Sequence, residues 1–515
     1  TQCTAVVESV TSCVFDELLI FNKKNVDKEV FEQETIRIDC FDTDKRPLFP
    51  NQFIGSFAMD TTMVYTMNKE HELYRRWVPL LNDKTNIGKK GKEDTVSVEG
   101  YLKISIQIIG PGDILHIHDD EEEFILEEVA KEAAVGNDVG NFVLSTPILH
   151  REWRFVVLSL CRFEGLPVMD MKIAGVSRAG TDAYCTLSFG EGTTLKTKTV
   201  TVKGSTDVQI NPEFLEELWY PVSVPNMTQL IKLRVWDSDY SRSELIAQVC
   251  EKFNRVDRML NKTTGYRWRN LYGAHEYKSK SVVGDAVNNV ASKVMNEVKK
   301  ISGMGIDWFE YYNNVSDSAP CYKGRVLLRY RIKAHLPAKY QPKSINMPFK
   351  LKLHDQSILE PSTKVYSLHA IVFSGLELPL KSNFHVRISI GHHALSTFAA
   401  KNLNGQCIWM QHIKVEGIQL PEDVTQLPDI FIYLVKEGRK KCICFKRIKP
   451  YLDDGLRLIG FDKKPEWCIM QEDRAVNALK DEVFPGNVLI KLGFGFTEDF
   501  LLHSGEWMKT LNSSK

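Results

Sequence analysis

The chain has 515 residues, 43% of them hydrophobic, and its 66 Lys plus Arg are balanced by 66 Asp plus Glu. That length leaves room for three or four domains with packed cores, and the apolar content excludes wholesale disorder. A formal net charge of zero excludes a global field drawing the chain onto nucleic acid or membrane, so any such attraction must come from local patches.

Eleven cysteines lack metal-ligand spacing, Cys442 and Cys444 being the closest pair. Their odd number points to reduced thiols in a cytosolic setting, packed as small hydrophobes. No signal peptide is visible, and no apolar run reaches the roughly 18 residues a spanning helix needs. The opening "TQCTAVVESVTSCVFDELLIF" enters strand-like sequence without an initiator methionine and reads as part of something longer.

Short alternating runs then follow one another: "ETIRIDCFD", "GYLKISIQII", "WRFVVLSLC", "AYCTLSFG", "LIKLRVWD", "GRVLLRYRI", "YSLHAIVF", "HVRISIG", "DIFIYLV" and "NVLIKLGFGF". They are β-branched or aromatic and separated by Gly, Pro, Asp and Asn, which predicts a mainly β chain of antiparallel sandwiches. Three strand-rich blocks are expected, at 1–110, 152–335 and 363–496. The acidic, partly helix-forming segment 111–151 joins the first two. The Pro- and Lys-bearing segment 336–362 joins the last two, and 497–515 is a tail. Val283, Val287, Val290, Val294 and Val298 fall at helical spacing in "SVVGDAVNNVASKVMNEVKK", an amphipathic helix expected to pack on its own sandwich. Trp77, Trp153, Trp236 and Trp268 flank strands and read as core.

Blocks one and two share a pattern. "IRIDCFDTDKRPLFPNQFIGSF" and "IKLRVWDSDYSRSELIAQV" both read as strand, Asp-x-Asp, loop, short apolar strand, and "VFDELLIF" matches "EFLEELWY" upstream. The same unit is used more than once. In block two, Asp170 and Asp182 bracket one loop, while Asp237, Asp239 and Glu244 lie on a second loop more than fifty residues later. Loops from distant chain segments cluster at one end of a two-sheet sandwich. Five carboxylates there would repel one another unless a hard cation neutralised them. Several carboxylates on two loops suit calcium better than the tighter magnesium octahedron; a solvated acidic rim is the plain alternative.

Asp-x-Asp after a strand, paired with "GTDAYCTLSFG", resembles a C2 domain. The stretches "FIGSFAMDTTMVYTMNKEHELYRRWVPLLND", "NFVLSTPILHREWRFVVLSLCRFEGLPVMD", "WRNLYGAHEY" and "CYKGRVLLRYRI" are similar, in order and spacing, to the ferlin family. In block three, "YSLHAIVFSGLELPL", "FHVRISIG" and "FPGNVLIKLGFGF" resemble the weaker C2-like region that follows in ferlins. The resemblance implies tandem eight-stranded sandwiches: a C2 domain lacking its N-terminal strands, a FerI-like segment, a complete C2 domain with a long helical insert and a degenerate one. It implies calcium as cofactor and an anionic phospholipid membrane as partner, with Asp170, Asp182, Asp237, Asp239 and Glu244 as ligands in block two. In block one only Asp42 and Asp44 match the pattern, with Asn51 or Gln52 at the last acidic position.

Block three lacks such acids. Lys436, Arg439, Lys440, Lys441, Lys446, Arg447 and Lys449 form the densest positive run in the chain, where each charge near anionic lipid can contribute about 1 kcal/mol. A solvated face or a contact for acidic protein is the competing reading. Met169 and Met171 flank Asp170 and are expected to insert between headgroups.

His116 and His118 in "HIHDDEEE" are a weak metal pair, more simply an exposed one. No Walker loop or Gly-x-Ser-x-Gly elbow is present, so no enzyme activity, nucleic-acid binding or small-molecule substrate is expected. Two functions compete. One is a calcium-triggered module of vesicle fusion, exocytosis or membrane repair at the cytoplasmic face of a vesicle or plasma membrane, its anchor lying elsewhere. The other is a calcium-independent scaffold of sandwiches that bind other proteins.

Overall fold

Alternating apolar and polar residues build strands, and in the computed structural model those strands form three β units in chain order. The structure describes the chain apart from residues 8–12, 24–25, 27, 44–50, 68–69, 83–96, 116–117, 119–151, 170–179, 191–193, 204–208, 225, 227, 239–242, 259, 261–263, 276–307, 336–347, 352–359, 380–381, 439–441, 453–455, 476–483 and 514–515.

Unit one is a four-stranded antiparallel meander of β1 (Thr35–Asp42), β2 (Gln52–Asp60), β3 (Glu72–Asn82) and β4 (Ser97–Gln107). Helices α1 (Lys28–Gln33) and α2 (Thr61–Met67) accompany it, and Phe57, Met59, Val64, Val78 and Leu80 form its small core. Residues 13–21, which include the whole of the segment matched to "EFLEELWY", form no strand, and Val14, Leu18 and Phe21 are exposed. Their apolar pattern finds no partner sheet among the described residues. Trp77 is 51% exposed on β3, so it is a surface residue rather than core.

Unit two contains eight principal strands: β5 (Glu152–Glu164), β6 (Gly180–Phe189), β7 (Val200–Lys203), β8 (Glu213–Val224), β9 (Leu230–Asp237), β10 (Glu244–Lys252), β11 (Arg267–Gly273) and β12 (Cys321–Lys333). One sheet runs β11-β12-β5-β8 and continues to the two-residue strand Phe349–Lys350. The other runs β10-β9-β6, with β7 and the short strand Leu195–Lys196 both pairing β6. Alternate residues of both sheets meet in one core, among them Leu158, Leu160, Phe163, Cys185, Leu187, Leu233 and Val235. Helices α3 (Phe253–Asp257) and α4 (Trp308–Asn314) lie beside β10. The valine-spaced helix expected at 281–300 lies outside the described residues, as does the Trp153 side chain. Trp268 is buried, with the guanidinium groups of Arg162 and Arg325 over its ring at 5.3 and 4.1 Å. Trp236 is half-buried, and its indole N–H donates to Thr186 Oγ1 at 2.8 Å.

Unit three repeats the plan with β13 (Thr363–Leu376), β14 (Phe384–Ile390), β15 (His393–Ser396), β16 (Cys407–Pro421), β17 (Ile430–Lys436), β18 (Cys442–Ile448), β19 (Glu466–Ile469) and β20 (Asn487–Phe496). Its sheets are β16-β13-β20-β19 and β15-β14-β17-β18, the latter extended by Gln471–Glu472. The tail forms α5 (Thr497–Ser513), which seats Trp507 against Ile371, Phe373 and Phe461 on the outer face of the first sheet. All eleven cysteines are free, and Cys442 and Cys444 are buried. The fold is thus mainly β, with tandem antiparallel sandwiches and few helices.

Candidate functional site: the apex of each sandwich

The apex of unit two is where β9 ends and β6 and β10 begin. Asp237, the last residue of β9, is paired in register with Glu244 at the start of β10 and with Ala183 on β6. The Asp237 carboxylate accepts the Asp182 backbone N–H at 2.8 Å, and the Ser238 N–H donates to the Asp182 carbonyl at 2.9 Å. Three carboxylates from three strands therefore share one end. Asp237 is 1% exposed, and Asp182 and Glu244 are half-buried. Directly opposed like charges destabilise an antiparallel pair, and burial raises that cost by removing water. Asp182 and Glu244 make no ion pair among the described residues.

Thr181 fixes the neighbouring loop. Its Oγ1 accepts the Met169 N–H at 3.0 Å and lies 3.2 Å from the Pro167 carbonyl. The chain thus enters the 170–179 segment beside the strand on which it returns. Asp170, Met171, Asp239 and Asp44 lie outside the described residues. Among the described residues no group of three or more His, Cys, Asp or Glu side chains meets closely enough to hold a metal. Met169 does not face a bilayer: it is 2% exposed in the sandwich core, because the Thr181 contact turns its side chain inward.

The same backbone device recurs in all three units. One residue of the facing strand bulges out of the ladder between the two rungs that precede the apex residue: Ile54 between the pairs Cys40–Gly55 and Phe41–Phe53, Ile246 between Val235–Ala247 and Trp236–Leu245, and Ile443 between Leu434–Cys444 and Val435–Cys442. That register makes Asp42, Asp237 and Lys436 structurally equivalent. Opposite them, Asp42 faces Gln52 and Asp237 faces Glu244.

Unit three matches further. The Glu437 N–H donates to the Asn383 carbonyl at 3.0 Å, as Ser238 does to Asp182, so Asn383 stands at the place of Asp182. Thr197 Oγ1 accepts the Cys185 N–H at 2.8 Å and Thr397 Oγ1 accepts the Val386 N–H at 3.0 Å. Each accepting hydroxyl takes an N–H three residues past the Asp182 or Asn383 position.

Unit three thus carries an ammonium where unit two carries its buried carboxylate. The Asn383 side-chain amide donates to the Glu437 carboxylate at 2.6 Å and ties the two loops without a cation. The ladder registers fix which residue of the basic run takes this place.

The positive run of unit three divides along β18. Lys436 lies at the apex, whereas the pairings Ile432–Lys446, Phe431–Arg447 and Ile430–Ile448 carry the strand to the opposite end. Arg447 does not belong to a free cationic face. It bonds Asp429 at 2.5 Å and lies over the Tyr272 ring of unit two at 3.8 Å. Lys449 is exposed at that far end, near Tyr451, and Lys446 is half-buried mid-strand. Arg439, Lys440 and Lys441 lie outside the described residues.

In unit one, Asp42 is exposed at the end of β1. His118 bonds Glu72 at 2.8 Å and stacks on Tyr74, so it is built into unit one rather than exposed. His116 lies outside the described residues. No helix among the described residues is long and apolar enough to cross a membrane.

No family model matches the chain. Among curated proteins it is 24% identical over 296 residues to Ferlin 2 of Tetrahymena thermophila, covering 53% of this chain and 16% of that protein. It is 24% identical over 253 residues to Myoferlin of Xenopus tropicalis (47% and 12%) and 27% identical over 236 residues to Myoferlin of Mus musculus (44% and 10%). The matched part thus spans 10–16% of those relatives' own length. Among solved structures it matches a calcium-bound pair of C2 domains from Extended-Synaptotagmin 2 at 11% identity and a TM-score of 0.22, covering 66% of this chain and 95% of that one.

Proposed function

From a chain whose curated relatives are ferlins, we propose that these units are a calcium- and phospholipid-binding tandem C2 region of a membrane-trafficking protein. Unit two is the calcium-responsive part. Asp182, Asp237 and Glu244 hold the ion, with Asp170 and Asp239 supplied by the two adjoining loops. Calcium supplies the charge that cancels carboxylate repulsion and turns the apex from repelling anionic lipid to attracting it, an electrostatic switch that needs little change of shape. The setting is the cytoplasmic face of a vesicle or plasma membrane, and the process is vesicle fusion, exocytosis or membrane repair.

One observation carries this reading: Asp237, buried at the end of its strand, is opposed by Glu244 and bonded to the Asp182 backbone. Calorimetric titration with calcium, followed by pelleting with phosphatidylserine vesicles, tests it. Calcium binding and calcium-dependent pelleting are expected, and both are lost in Asp237→Asn. No heat of binding up to millimolar calcium sinks the proposal.

The second reading, a calcium-independent scaffold, draws on the Asn383–Glu437 bond that closes the apex of unit three. Pelleting that ignores calcium, or fails entirely, favours it.

A further inference from the structure

In unit two the outer edge of β8 carries an extra strand. Lys350 pairs with Glu216 and Phe349 with Glu217, so Phe349–Lys350 extends the sheet beyond β8. The Leu351 N–H donates to the Leu215 carbonyl at 2.7 Å, and Leu351 is buried. Phe349 packs on Phe155, Val157 and Trp219. Backbone hydrogen bonds hold a strand added in this way, and its alternate side chains select what fits.

Unit three has the same edge without the strand. β5 and β13 each bulge at one residue, Cys161 and Phe373, against the strands on both sides. This register sets Glu213, Phe214, Leu215 and Glu216 of β8 level with Ile408, Trp409, Met410 and Gln411 of β16. Leu215 and Met410 both stand at φ +49, and Phe214 and Trp409 are both buried. The Lys198 N–H donates to the Glu216 carboxylate at 3.0 Å, and the Phe398 N–H to Gln411 Oε1 at 2.8 Å. Among the described residues no strand pairs the outer edge of β16.

Antiparallel pairing carries the added strand of unit two past Leu215 toward Phe214 and Glu213. The equivalent residues of unit three, Trp409 and Ile408, line a shallow groove of about 290 Å³ together with Phe398, Lys401 and Leu403. Phe398, Leu403 and Ile408 are 81%, 63% and 59% exposed. An apolar groove beside an open strand edge is a template for another segment. The two edges differ in charge. Lys350 lies opposite the Glu216 carboxylate, whereas Gln411 is neutral. Among the described residues, the charged group lining the groove is Lys401, and it makes no ion pair. The edge of unit two holds a cationic strand; that of unit three suits an anionic one.

We propose that the Met410–His412 edge of β16 takes an extended acidic and apolar segment of a partner protein as an added antiparallel strand. Its apolar side chains fill the Phe398–Leu403–Ile408 groove, and a carboxylate faces Lys401. The Met410 carbonyl accepts a backbone N–H of the segment, as the Leu215 carbonyl accepts that of Leu351. Unit two meets this need from its own chain, and unit three leaves it to another protein. The docking is independent of calcium and of lipid.

The test titrates the whole chain into two fluorescein-labelled peptides and follows their anisotropy. One is PFKLKL, the sequence that supplies the added strand of unit two; the other is PFELEL, with glutamate in place of both lysines. PFELEL should bind at least about fivefold more tightly than PFKLKL. Lys401→Glu combined with Gln411→Glu, which copies the Glu216 edge, should reverse that order. Methylating the backbone nitrogen of the first leucine of PFELEL, the counterpart of the Leu351 N–H, leaves the protein untouched and should abolish binding. A native preference for PFKLKL, an order that the two substitutions leave unchanged, or binding that survives methylation overturns the inference. So does a native chain that takes up neither peptide at about millimolar concentration; self-association of that chain in sedimentation velocity assigns the edge to a second copy instead.

Discussion

Units two and three are built on one frame and differ at its most sensitive point. Both place a bulged isoleucine on the strand facing the apex residue, between the two rungs that precede it, and both pin the adjacent strand with a threonine hydroxyl, Thr197 or Thr397. The residue they present is Asp237 in one and Lys436 in the other, beside Asp182 and Asn383 respectively. On the proposed reading, a carboxylate apex repels itself unless a cation is bound. An ammonium apex has its positive charge already in place. The backbone sets where charge is displayed, and the residues at two equivalent positions set its sign. Fold likeness therefore says little about calcium; the residues at these equivalent positions say more.

The largest expected effect separates the structural cation of unit three from its apical one. Arg447 and Asp429 are each 15% exposed and face each other at the contact with unit two. Removing one partner of a buried pair leaves the other uncompensated, so Arg447→Ala should cost about 3–5 kcal/mol. It should also let the two units melt separately in calorimetry. Lys436→Ala should stay within about 0.5 kcal/mol of the native stability. Equal effects from the two substitutions would erase the distinction drawn between them.

The next effect concerns the ion itself. Ligand binding to the folded state alone adds about 2.7 kcal/mol at a concentration one hundred times the dissociation constant. Saturating calcium should therefore raise the melting temperature of unit two and leave the separately melting unit three of Arg447→Ala where it was. In Asp237→Asn the calcium shift should vanish while the apo protein holds or gains stability, since an opposed charge has been removed beside Glu244. A calcium shift that survives Asp237→Asn removes Asp237 from the ligand set.

Acid should distinguish the units in another way. His369 is fully buried on unit three between Phe461, Phe500 and Trp507, with His412 Nε2 at 3.2 Å from its Nδ1. Burial, reinforced by His412, lowers its pKa from 6.5 to about 4. A histidine whose folded pKa is depressed must be neutral in the folded state. Its contribution is fully present above pH 6.5 and is lost as pH falls toward 4, by about 1.4 kcal/mol per pH unit. Burial also holds His275, in unit two at its contact with unit three, down to about 3, so that contact weakens over the same range. Circular dichroism of α5 and intrinsic Trp507 fluorescence should report loosening of the tail helix between pH 6 and 4. His369→Phe should remove this loosening and keep the part due to His275. A helix signal that is flat down to pH 4 would show that α5 is not held by the neutral histidine.

Much of this architecture is legible in short-range pattern. Alternation of β-branched and polar residues locates most strands, because one face of each sheet is buried and the side-chain period is two. Asp-x-Asp after "RVW" marks the apex of unit two. Relations between strands are not legible. That block three is basic where Asp-x-Asp would stand is legible, but that Lys436 is the residue in the place of Asp237 is fixed only when Ile246 and Ile443 are seen to bulge. Arg447 reads as one more charge in a basic run, because nothing local announces the Asp429 and Tyr272 that receive it. Met169 beside Asp170 reads as exposed for the same reason: the Thr181 hydroxyl that turns it inward comes twelve residues later.

The smallest effect is expected in unit one, which tests whether an apical aspartate suffices. Asp42 has the bulge and register of Asp237, but it is exposed and faces the neutral Gln52 instead of a second carboxylate. Water already screens its charge and no opposed anion raises its energy, so little is gained by delivering a cation. Asp42→Asn should change stability by less than about 0.5 kcal/mol, with or without calcium. Gln52→Glu would restore the opposed pair, and a calcium-dependent rise in the stability of unit one in that variant alone would show that the facing carboxylate makes the site. No rise would mean that the buried setting of Asp237, rather than the pairing of charges, is the decisive ingredient.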